Sequence, residues 1–301
     1  MLTIGVVTDN AVSATEWQGI SQRLRGATIA ATFDSGTGHS LCEVCDAVVF
    51  VGSRPLEKTL VERALGGGKH VLLATEPCLS VADLEALSGV AQKGGLQFAV
   101  VNSDRYLPSR QLIKQQIGGS LGNIGLVRVH RWEAVRAECR PTALGLPGPL
   151  VRDLELVLWL AGESPRVVYA LEQATNKSEA VTGVYFQVHL GFSAGMALID
   201  YTNQLPSGGG YHCVSVIGSS GAACADDQQN AQLLYRGGHP QALQTGEGTR
   251  HLAAMIQEFV DAIAQRQDLS PTVTAWHSVL TLVEAVRQSL VTHQAIHRKE
   301  S

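Results

Sequence analysis

The chain has 301 residues, of which 45% are hydrophobic and 17% are charged, and its formal net charge is −4. This length and composition predict a globular protein of two ordinary-sized domains and exclude a disordered one. The negative balance argues against a nucleic-acid partner, and no apolar run reaches the ~18–20 residues of a membrane helix. No basic segment precedes the apolar run Ile4–Val7, so we expect no secretory signal and a cytoplasmic location.

Short apolar runs alternate with amphipathic stretches through the first ~120 residues, a pattern typical of a parallel sheet with helical crossovers. The predicted strands are Thr3–Val7, Thr28–Phe33, Ala47–Val51, His70–Ala74 and Gln97–Val101. The predicted helix faces are Trp17, Ile20 and Leu24, then Leu56, Leu60 and Ala64, then Leu84, Leu87 and Ala91. Ser80 and Asp83 fit a capping box at the start of the third helix, and Pro108 suits the first turn of a fourth.

Longer strands replace this alternation after Gly122. The predicted strands include Leu126–Trp132, Thr182–Leu190, Met196–Tyr201 and Tyr211–Ile217. In the second of them Tyr185, Gln187 and His189 alternate with apolar residues, which predicts a sheet with two distinct faces. Helices are predicted around Leu150–Ala161, Leu252–Ile263 and Val279–Val286. We therefore place one domain at residues 1–121 and an α+β domain at residues 122–301.

Several motifs occur in the order found in one known family. The segment Gly68–Pro77, GKHVLLATEP, resembles the "GKHVL-x-EKP" signature of the Gfo/Idh/MocA oxidoreductases, which act on sugars and polyols with NAD or NADP. Other family motifs resemble Cys45–Val49, Asn102–Pro108, Gly118–Leu126, Ile217–Gly221 and Glu258–Ile263. The resemblance implies a Rossmann-type doubly wound parallel sheet, followed by an α+β domain with a large open antiparallel sheet. It also implies NAD or NADP as cofactor.

The cofactor loop after the first strand departs from the family pattern. Its three glycine positions hold Thr8, Asn10 and Ser13, and the Cβ atoms of Thr8 and Ser13 stand where a diphosphate needs space. Ser13 and Glu16 also fit a capping box, and Glu16 and Asp9 put negative charge where the diphosphate would bind. Either dinucleotide binding is weakened or lost, or a shifted loop still admits the cofactor.

The remaining cofactor positions are also ambiguous. The resemblance places Asp34 at the ribose-binding acid, which would favour NAD, but an Asp before Ser35-Gly36 equally suits a turn. The turn after the third strand holds Ser53 and Arg54. Arg54 is either a phosphate contact or a solvated loop residue.

The resemblance also places the catalytic groups, and both of the expected side chains are replaced. Glu76 stands at the family's lysine, and an alignment anchored on Trp159–Gly162 puts Arg152 at its histidine and Asp153 at its second aspartate. An arginine stays protonated and cannot act as a general base. Glu76 is a base only if its pKa is raised; Glu76 and Arg152 could instead pair with each other.

Four residues are candidates for substrate contacts. The family places their segments near the cleft, and guanidinium groups suit carboxylate or phosphate ligands. They are Arg105, Tyr106, Arg131 and Arg152. For the arginines the alternative is a set of surface salt bridges. Cys42 and Cys45 form a lone Cys-x-x-Cys without a second pair at metal-site spacing, so we predict no metal site.

These observations favour a divergent homologue with lost or altered dehydrogenase activity. It would bind a sugar-like or anionic small molecule, or act as a regulatory or assembly partner. The alternative is an active NAD(P)-dependent oxidoreductase with an atypical cofactor loop. The resemblance further implies a homo-oligomer, a dimer or tetramer, formed through the outer face of the C-terminal sheet.

Overall fold

The computed structural model describes residues 1–8, 12–34, 45–52, 58–74, 79–134, 145–175, 183–206, 210–226, 231–235, 241–244 and 250–298. For residues 34, 174–175, 231–235 and 241–244 the description covers the backbone alone. The described residues group into two compact units, of which unit 1 contains 1–106 and 250–280 and unit 2 contains the rest. The domain division at residues 121 and 122 stays a prediction.

Unit 1 is built on a five-stranded parallel sheet. Its strands are β1 (Leu2–Thr8), β2 (Ala27–Asp34), β3 (Ala47–Val51), β4 (His70–Leu73) and β5 (Phe98–Val100), in the order β2-β1-β3-β4-β5. This order confirms the predicted Rossmann-type sheet. The chain places β2 on one side of β1 and then β3, β4 and β5 on the other side. Sheets of this kind bind ligands at the carboxyl ends of the two strands where the order switches, here β1 and β3.

The helices of unit 1 follow the predicted apolar faces. They are α1 (Ala14–Ser21), α2 (Lys58–Gly66), α3 (Val81–Lys93), α6 (Arg250–Gln265) and the start of α7 (Ser270–Thr292). Helix α1 ends before Leu24 because the Leu24 amide already bonds to the Ser21 carbonyl in a tighter turn leading to β2. Leu56, predicted on α2, lies outside the described residues.

The core of unit 1 joins the sheet to a helix from the far end of the chain. Ile4 and Leu72 of the sheet belong to one buried cluster with Leu252, Ile256 and Phe259 of α6. These α6 residues recur at intervals of three and four positions, so they share one face of the helix. Residues near position 255 therefore complete a core begun by residues 2–8.

Unit 2 contains a nine-stranded sheet. Its strands are β6 (Ile124–Ala134), β7 (Val167–Thr175), β8 (Gly183–Gly191), β9 (Met196–Leu205), β10 (Tyr211–Gly218), β11 (Ala222–Asp226), β12 (Ala231–Tyr235), β13 (Gln241–Gln244) and β14 (Ile296–His297). The spatial order is β13-β12-β11-β10-β6-β9-β8-β7-β14.

This sheet is mixed, whereas the family resemblance implied an antiparallel one. Strands β6 and β9 run parallel, and the other described neighbours are antiparallel. A parallel pair needs a long crossover, and the chain between β6 and β9 supplies one that contains α5 (Gly148–Ala161), β7 and β8. The predicted two-faced alternation is confirmed: Phe186 and Val188 are buried, while Tyr185 and Gln187 are exposed.

Helices cover one face of this sheet. They are α4 (Pro108–Gln116), α5 and the end of α7. Pro108 occupies the first turn of α4, as predicted. Ser289 of α7 is fully buried, and its hydroxyl accepts a hydrogen bond from the Ala170 amide of β7 at 3.0 Å.

Two of the family-like motifs meet at one tight contact in unit 2. The Ser220 amide donates to the Leu121 carbonyl at 3.0 Å, and the Ser219 amide donates to the Asn123 carbonyl at 2.9 Å. Gly122 has φ +69°, and a Cβ at Gly218 would overlap the Leu121 carbonyl. Glycine is therefore required at both positions because of backbone conformation and close approach.

None of the described helices combines the length and the apolar composition that crossing a membrane requires.

Candidate functional site

The carboxyl edge of the unit 1 sheet brings two of the predicted cofactor positions together. Thr8 ends β1 and pairs in register with Asp34 at the end of β2 and with Val51 of β3. Thr8 is only 4% exposed, and its hydroxyl has no hydrogen-bond partner among the described residues. The edge therefore begins with a buried side chain at the position where the family resemblance implies a glycine.

Four of the predicted cofactor positions lie outside the described residues. They are Asn10, Ser53, Arg54 and Glu76, so the predicted roles of these side chains stay predictions. The proposed contact between Glu76 and Arg152 stays a prediction for the same reason.

Helix α1 begins with the predicted capping box. The Glu16 amide donates to Ser13 Oγ at 3.3 Å, and Glu16 Oε2 accepts from the Ser13 amide at 2.9 Å and from its hydroxyl at 2.7 Å. The hydrogen bonds from the Ser13 amide and hydroxyl hold the pKa of Glu16 below its ordinary value. A carboxylate that is ionised at neutral pH therefore lies at the positive end of α1.

This end of α1 does not suit a dinucleotide diphosphate. A Rossmann site uses free amides at the helix N-terminus and glycines that let the backbone approach the phosphates. Here the Ser13 amide is already bonded to Glu16, and Ser13 and Thr8 both carry side chains. To bind here, a diphosphate would have to displace the Glu16 carboxylate, which is itself an anion, from the Ser13 amide.

Two of the predicted substrate residues lie in a short helical turn in unit 1. Arg105 and Tyr106 belong to the 3₁₀ turn Ser103–Tyr106, which packs on α6. Burial is the main cause that raises the pKa of Tyr106, and its hydrogen bond to Glu258 of α6 adds to the effect. Burial lowers the pKa of Arg105 to about 10, which still leaves it a cation at neutral pH. This turn therefore holds a cation beside a Tyr-Glu pair.

The other two substrate candidates lie in unit 2, where one of them forms a buried ion pair. Arg131 Nε donates to Asp153 Oδ2 and Arg131 Nη2 donates to Oδ1, both at 2.8 Å. Asp153 on α5 is 0% exposed. Burial alone would raise the pKa of Asp153, but the charge of Arg131 and the hydrogen bond from His212 outweigh burial and lower it to about 2. The carboxylate is thus ionised and fully engaged.

A second arginine extends this pair into a chain of four groups. His212 Nε2 lies 3.3 Å from Asp153 Oδ1, and His212 Nδ1 lies 3.1 Å from Nη2 of the fully buried Arg110. An arginine can only donate, so Nδ1 must accept and Nε2 carries the proton that is donated to Asp153. In this tautomer the 3.1 Å contact between Arg131 Nη2 and His212 Nε2 joins two donors and is not a hydrogen bond. We call Arg131, Asp153, His212 and Arg110 the buried relay.

Arg152 immediately precedes Asp153 on α5. Its side chain is partly buried and it stands where the family resemblance puts the catalytic histidine. A guanidinium holds its proton across the physiological range, so this position can bind an anion or orient a neighbour but cannot exchange a proton.

Two members of the buried relay, Arg110 and His212, were not among the residues predicted from the sequence. Arg110 contacts His212 across 102 positions of the chain, and His212 contacts Arg131 across 81. The one local signal was a histidine at an inward position of β10, between apolar neighbours. It could have indicated a partnered polar group in the core.

Sequence comparison alone gives no match. No protein-family model matches the chain, and no curated protein matches it.

Solved structures share its fold over nearly its whole length. UDP-N-acetylglucosamine 3-dehydrogenase from Acidithiobacillus ferrooxidans is 20% identical, with 97% of this chain and 98% of that chain covered and a TM-score of 0.75. An oxidoreductase from Agrobacterium radiobacter, in complex with NAD+, L-tartaric acid and magnesium, is 14% identical, with 98% of each chain covered and a TM-score of 0.79. Aldose-aldose oxidoreductase from Caulobacter crescentus, complexed with glycerol, is 16% identical, with 99% of each covered and a TM-score of 0.79. At these identities the likeness confirms the predicted fold class.

Proposed function

We propose that this protein is a divergent homologue of the Gfo/Idh/MocA oxidoreductases whose NAD(P)-dependent dehydrogenase reaction is lost or strongly altered. The observation that carries this proposal is the contact of Glu16 Oε2 with the Ser13 amide at 2.9 Å. The Glu16 carboxylate thereby places a negative charge of the protein itself at the helix end that would bind the diphosphate. The fold supports the ancestry, but function depends on the site.

The replaced proton-transfer group supports the same conclusion. Oxidation of a hydroxyl to a carbonyl requires a base that accepts the hydroxyl proton near neutral pH. Arg152 cannot accept it, and Asp153 already receives hydrogen bonds from Arg131 and His212. Arg152 and Asp153, the family-equivalent positions of unit 2, therefore contribute to packing and charge balance instead of proton transfer.

The ligand we propose is a sugar-like or anionic small molecule. The structural neighbours are named for sugars or crystallised with polyols and a hydroxy acid. Arg105 and Arg152 remain cations and suit a carboxylate or phosphate group. The proposal also covers a regulatory or assembly role, in which the protein binds its ligand without catalysing a reaction.

Titration with dinucleotides tests the proposal. We expect the melting temperature to stay unchanged in NAD, NADH, NADP and NADPH up to millimolar concentration, because a ligand at 100 times its Kd stabilises by ~2.7 kcal/mol and would be seen. A rise in melting temperature with micromolar NADH would contradict the proposal. It would favour the alternative, an active NAD(P)-dependent oxidoreductase, which the full-length match to an NAD+ complex supports.

We also propose that the protein is a homo-oligomer formed through the outer face of the unit 2 sheet. This face carries exposed large side chains on four neighbouring strands: Trp132, Tyr185, Met196 and Ile217. The rings of Trp132 and Tyr211 lie 4.9 Å apart between their centroids, which makes part of the face aromatic. Contiguous apolar surface of this kind is typical of protein interfaces.

Charged substitutions on this face of the sheet are expected to dissociate the oligomer. Sedimentation of the unmodified protein should give at least a dimer, and Trp132→Asp with Tyr185→Asp should shift it toward monomer at the same concentration, because buried unpaired charges oppose association. The control is Val291→Asp, an exposed apolar position on α7. A wild-type monomer at all concentrations would refute the proposed oligomer.

A further inference from the structure

Two thiols lie next to each other on neighbouring strands of unit 2. Cys213 of β10 and Cys224 of β11 are diagonal neighbours, because Cys213 pairs with Asp226 and Ser215 pairs with Cys224. Their Sγ atoms are 3.5 Å apart, and both cysteines are free. A disulfide has an S–S distance of about 2.05 Å, so the two sulfur atoms would have to approach each other by roughly 1.5 Å.

The two thiols have different exposure and different hydrogen-bond partners. Cys213 is buried and Cys224 is partly exposed. The Ser215 hydroxyl donates to Cys224 Sγ at 3.4 Å, and Tyr211 lies within hydrogen-bond reach of Cys213. Cys224 therefore combines solvent access with hydrogen-bond donors that stabilise a thiolate, whereas Cys213 is buried next to it.

The electrostatics point the same way. The hydrogen bond from Cys213 is the main cause that lowers the pKa of Cys224, with help from Ser215 and the charge of Arg110 on α4. Burial and Asp226 oppose this effect, and the resulting pKa is about 6. The same hydrogen bond raises the pKa of Cys213. One proton thus stays on Cys213 while Cys224 is a thiolate at neutral pH.

We propose that Cys213 and Cys224 form a reversible intramolecular disulfide when the protein meets a hydroperoxide, with Cys224 oxidised first and Cys213 resolving it. The Cys224 thiolate attacks one peroxide oxygen, the O–O bond breaks, and Cys224 becomes a sulfenic acid while hydroxide or alkoxide leaves. The sulfur loses two electrons and the peroxide gains them. Reactive cysteines of this kind are exposed, acidic and placed beside a resolving thiol.

The second step closes the bond. Cys213 sulfur attacks Cys224 sulfur, the S–O bond breaks, and the hydroxyl leaves as water with the proton from Cys213. Once Cys224 is a neutral sulfenic acid it no longer holds the Cys213 proton, so the main cause of the raised pKa of Cys213 is removed. Added dithiol reverses the product by thiol–disulfide exchange.

The test uses the full chain, reduced and then treated with hydrogen peroxide. After alkylation and tryptic digestion, both cysteines stay on one peptide because no Lys or Arg lies between them. Mass spectrometry is expected to find this peptide two hydrogens lighter and unalkylated, and dithiothreitol should make both thiols available for alkylation; we call the oxidised form the linked peptide. At pH 7 alkylation of Cys224 should be about tenfold or more faster than that of Cys213, with a midpoint near pH 6 that rises in Ser215→Ala. Absence of the linked peptide at every peroxide dose would overturn the proposal.

Three variants assign the order of events. Cys213→Ser should accumulate a sulfenic acid at Cys224 that dimedone captures, and Cys224→Ser should leave Cys213 reduced at the same dose. Cys45→Ser removes a buried thiol of unit 1 and should leave the linked peptide unchanged. Equal oxidation of Cys213 with and without Cys224 would reject the assigned order. These measurements read neither cofactor binding nor activity. The two thiols lie on the same face of the sheet as Trp132, so the oxidation is repeated in the variant Trp132→Asp with Tyr185→Asp, in which the proposed oligomer cannot cover Cys224, and the linked peptide is expected in both proteins.

Discussion

Asp153→Asn is expected to lower the free energy of unfolding of unit 2 by about 3–5 kcal/mol, because it leaves the Arg131 charge buried without its counter-charge. Both Arg131–Asp153 hydrogen bonds are 2.8 Å long, and the carboxylate is 0% exposed. The substitution preserves the side-chain shape, so the loss would report charge and not a cavity. Urea unfolding with hydrogen exchange read out on β6 and α5 measures it.

The matched control is Asp200→Asn on the same sheet. Asp200 lies 2.9 Å from His130, but both side chains are 23% exposed, so water replaces much of what is lost. An effect of about 1 kcal/mol or less is expected there. The double variant Arg131→Met with Asp153→Leu should recover most of the stability lost in Asp153→Asn, because it removes both buried charges together. An Asp153→Asn variant as stable as the control would contradict an ionised, paired Asp153.

The pH dependence of stability gives a second readout of the same pair. The pKa of Asp153 is lowered from 3.8 to about 2 in the folded protein, so the unfolded chain binds the proton more readily. The stabilisation is therefore complete above about pH 4 and lost as the pH falls through about 2. Asp153→Asn should lack this contribution to the acid transition, whereas Asp200→Asn should retain it.

Local features of the chain could be predicted because their partners are close in sequence. The capping boxes at Ser13 and Ser80 each join residues three positions apart, and both are present. The faces of β8 follow from alternation, which also depends on neighbours alone. The alternation of strands and helices in the first ~120 residues predicted the parallel sheet of unit 1, whereas its Rossmann-type arrangement was implied by the family resemblance.

Features that depend on distant partners could not be predicted in the same way. Alternation along β6 and β9 identifies their buried faces but not that they pair in parallel. Arg131 was expected to contact substrate or surface because nothing near it in sequence indicates Asp153, 22 positions away, as its partner. The thiols of Cys213 and Cys224 meet because a hairpin sets their register, and their spacing of 11 residues matches no known motif.

Rebuilding the start of α1 is expected to restore dinucleotide affinity. The variant Thr8→Gly, Asp9→Ala, Ser13→Gly and Glu16→Gln removes two side chains and two charges from the diphosphate position. It should bind NADH about tenfold tighter or better than the unmodified protein. The gain should shrink as salt rises, since part of it is electrostatic. Without ligand, loss of the Ser13 cap should cost about 1 kcal/mol or less.

A second capping box in unit 1 provides the control for this experiment. Ser80 and Asp83 cap α3 with the same reciprocal hydrogen bonds, and Asp83 also lies 2.6 Å from Lys58. Ser80→Gly with Asp83→Asn should therefore lower the melting temperature at least as much as the α1 changes without altering NADH affinity. Calorimetry decides the outcome: tight NADH binding by the unmodified protein, unchanged in the α1 variant, would show that Glu16 and its neighbours do not exclude the diphosphate. The proposal that cofactor binding is lost would then have to be abandoned, and an active NAD(P)-dependent oxidoreductase would become the better proposal for the function of this protein.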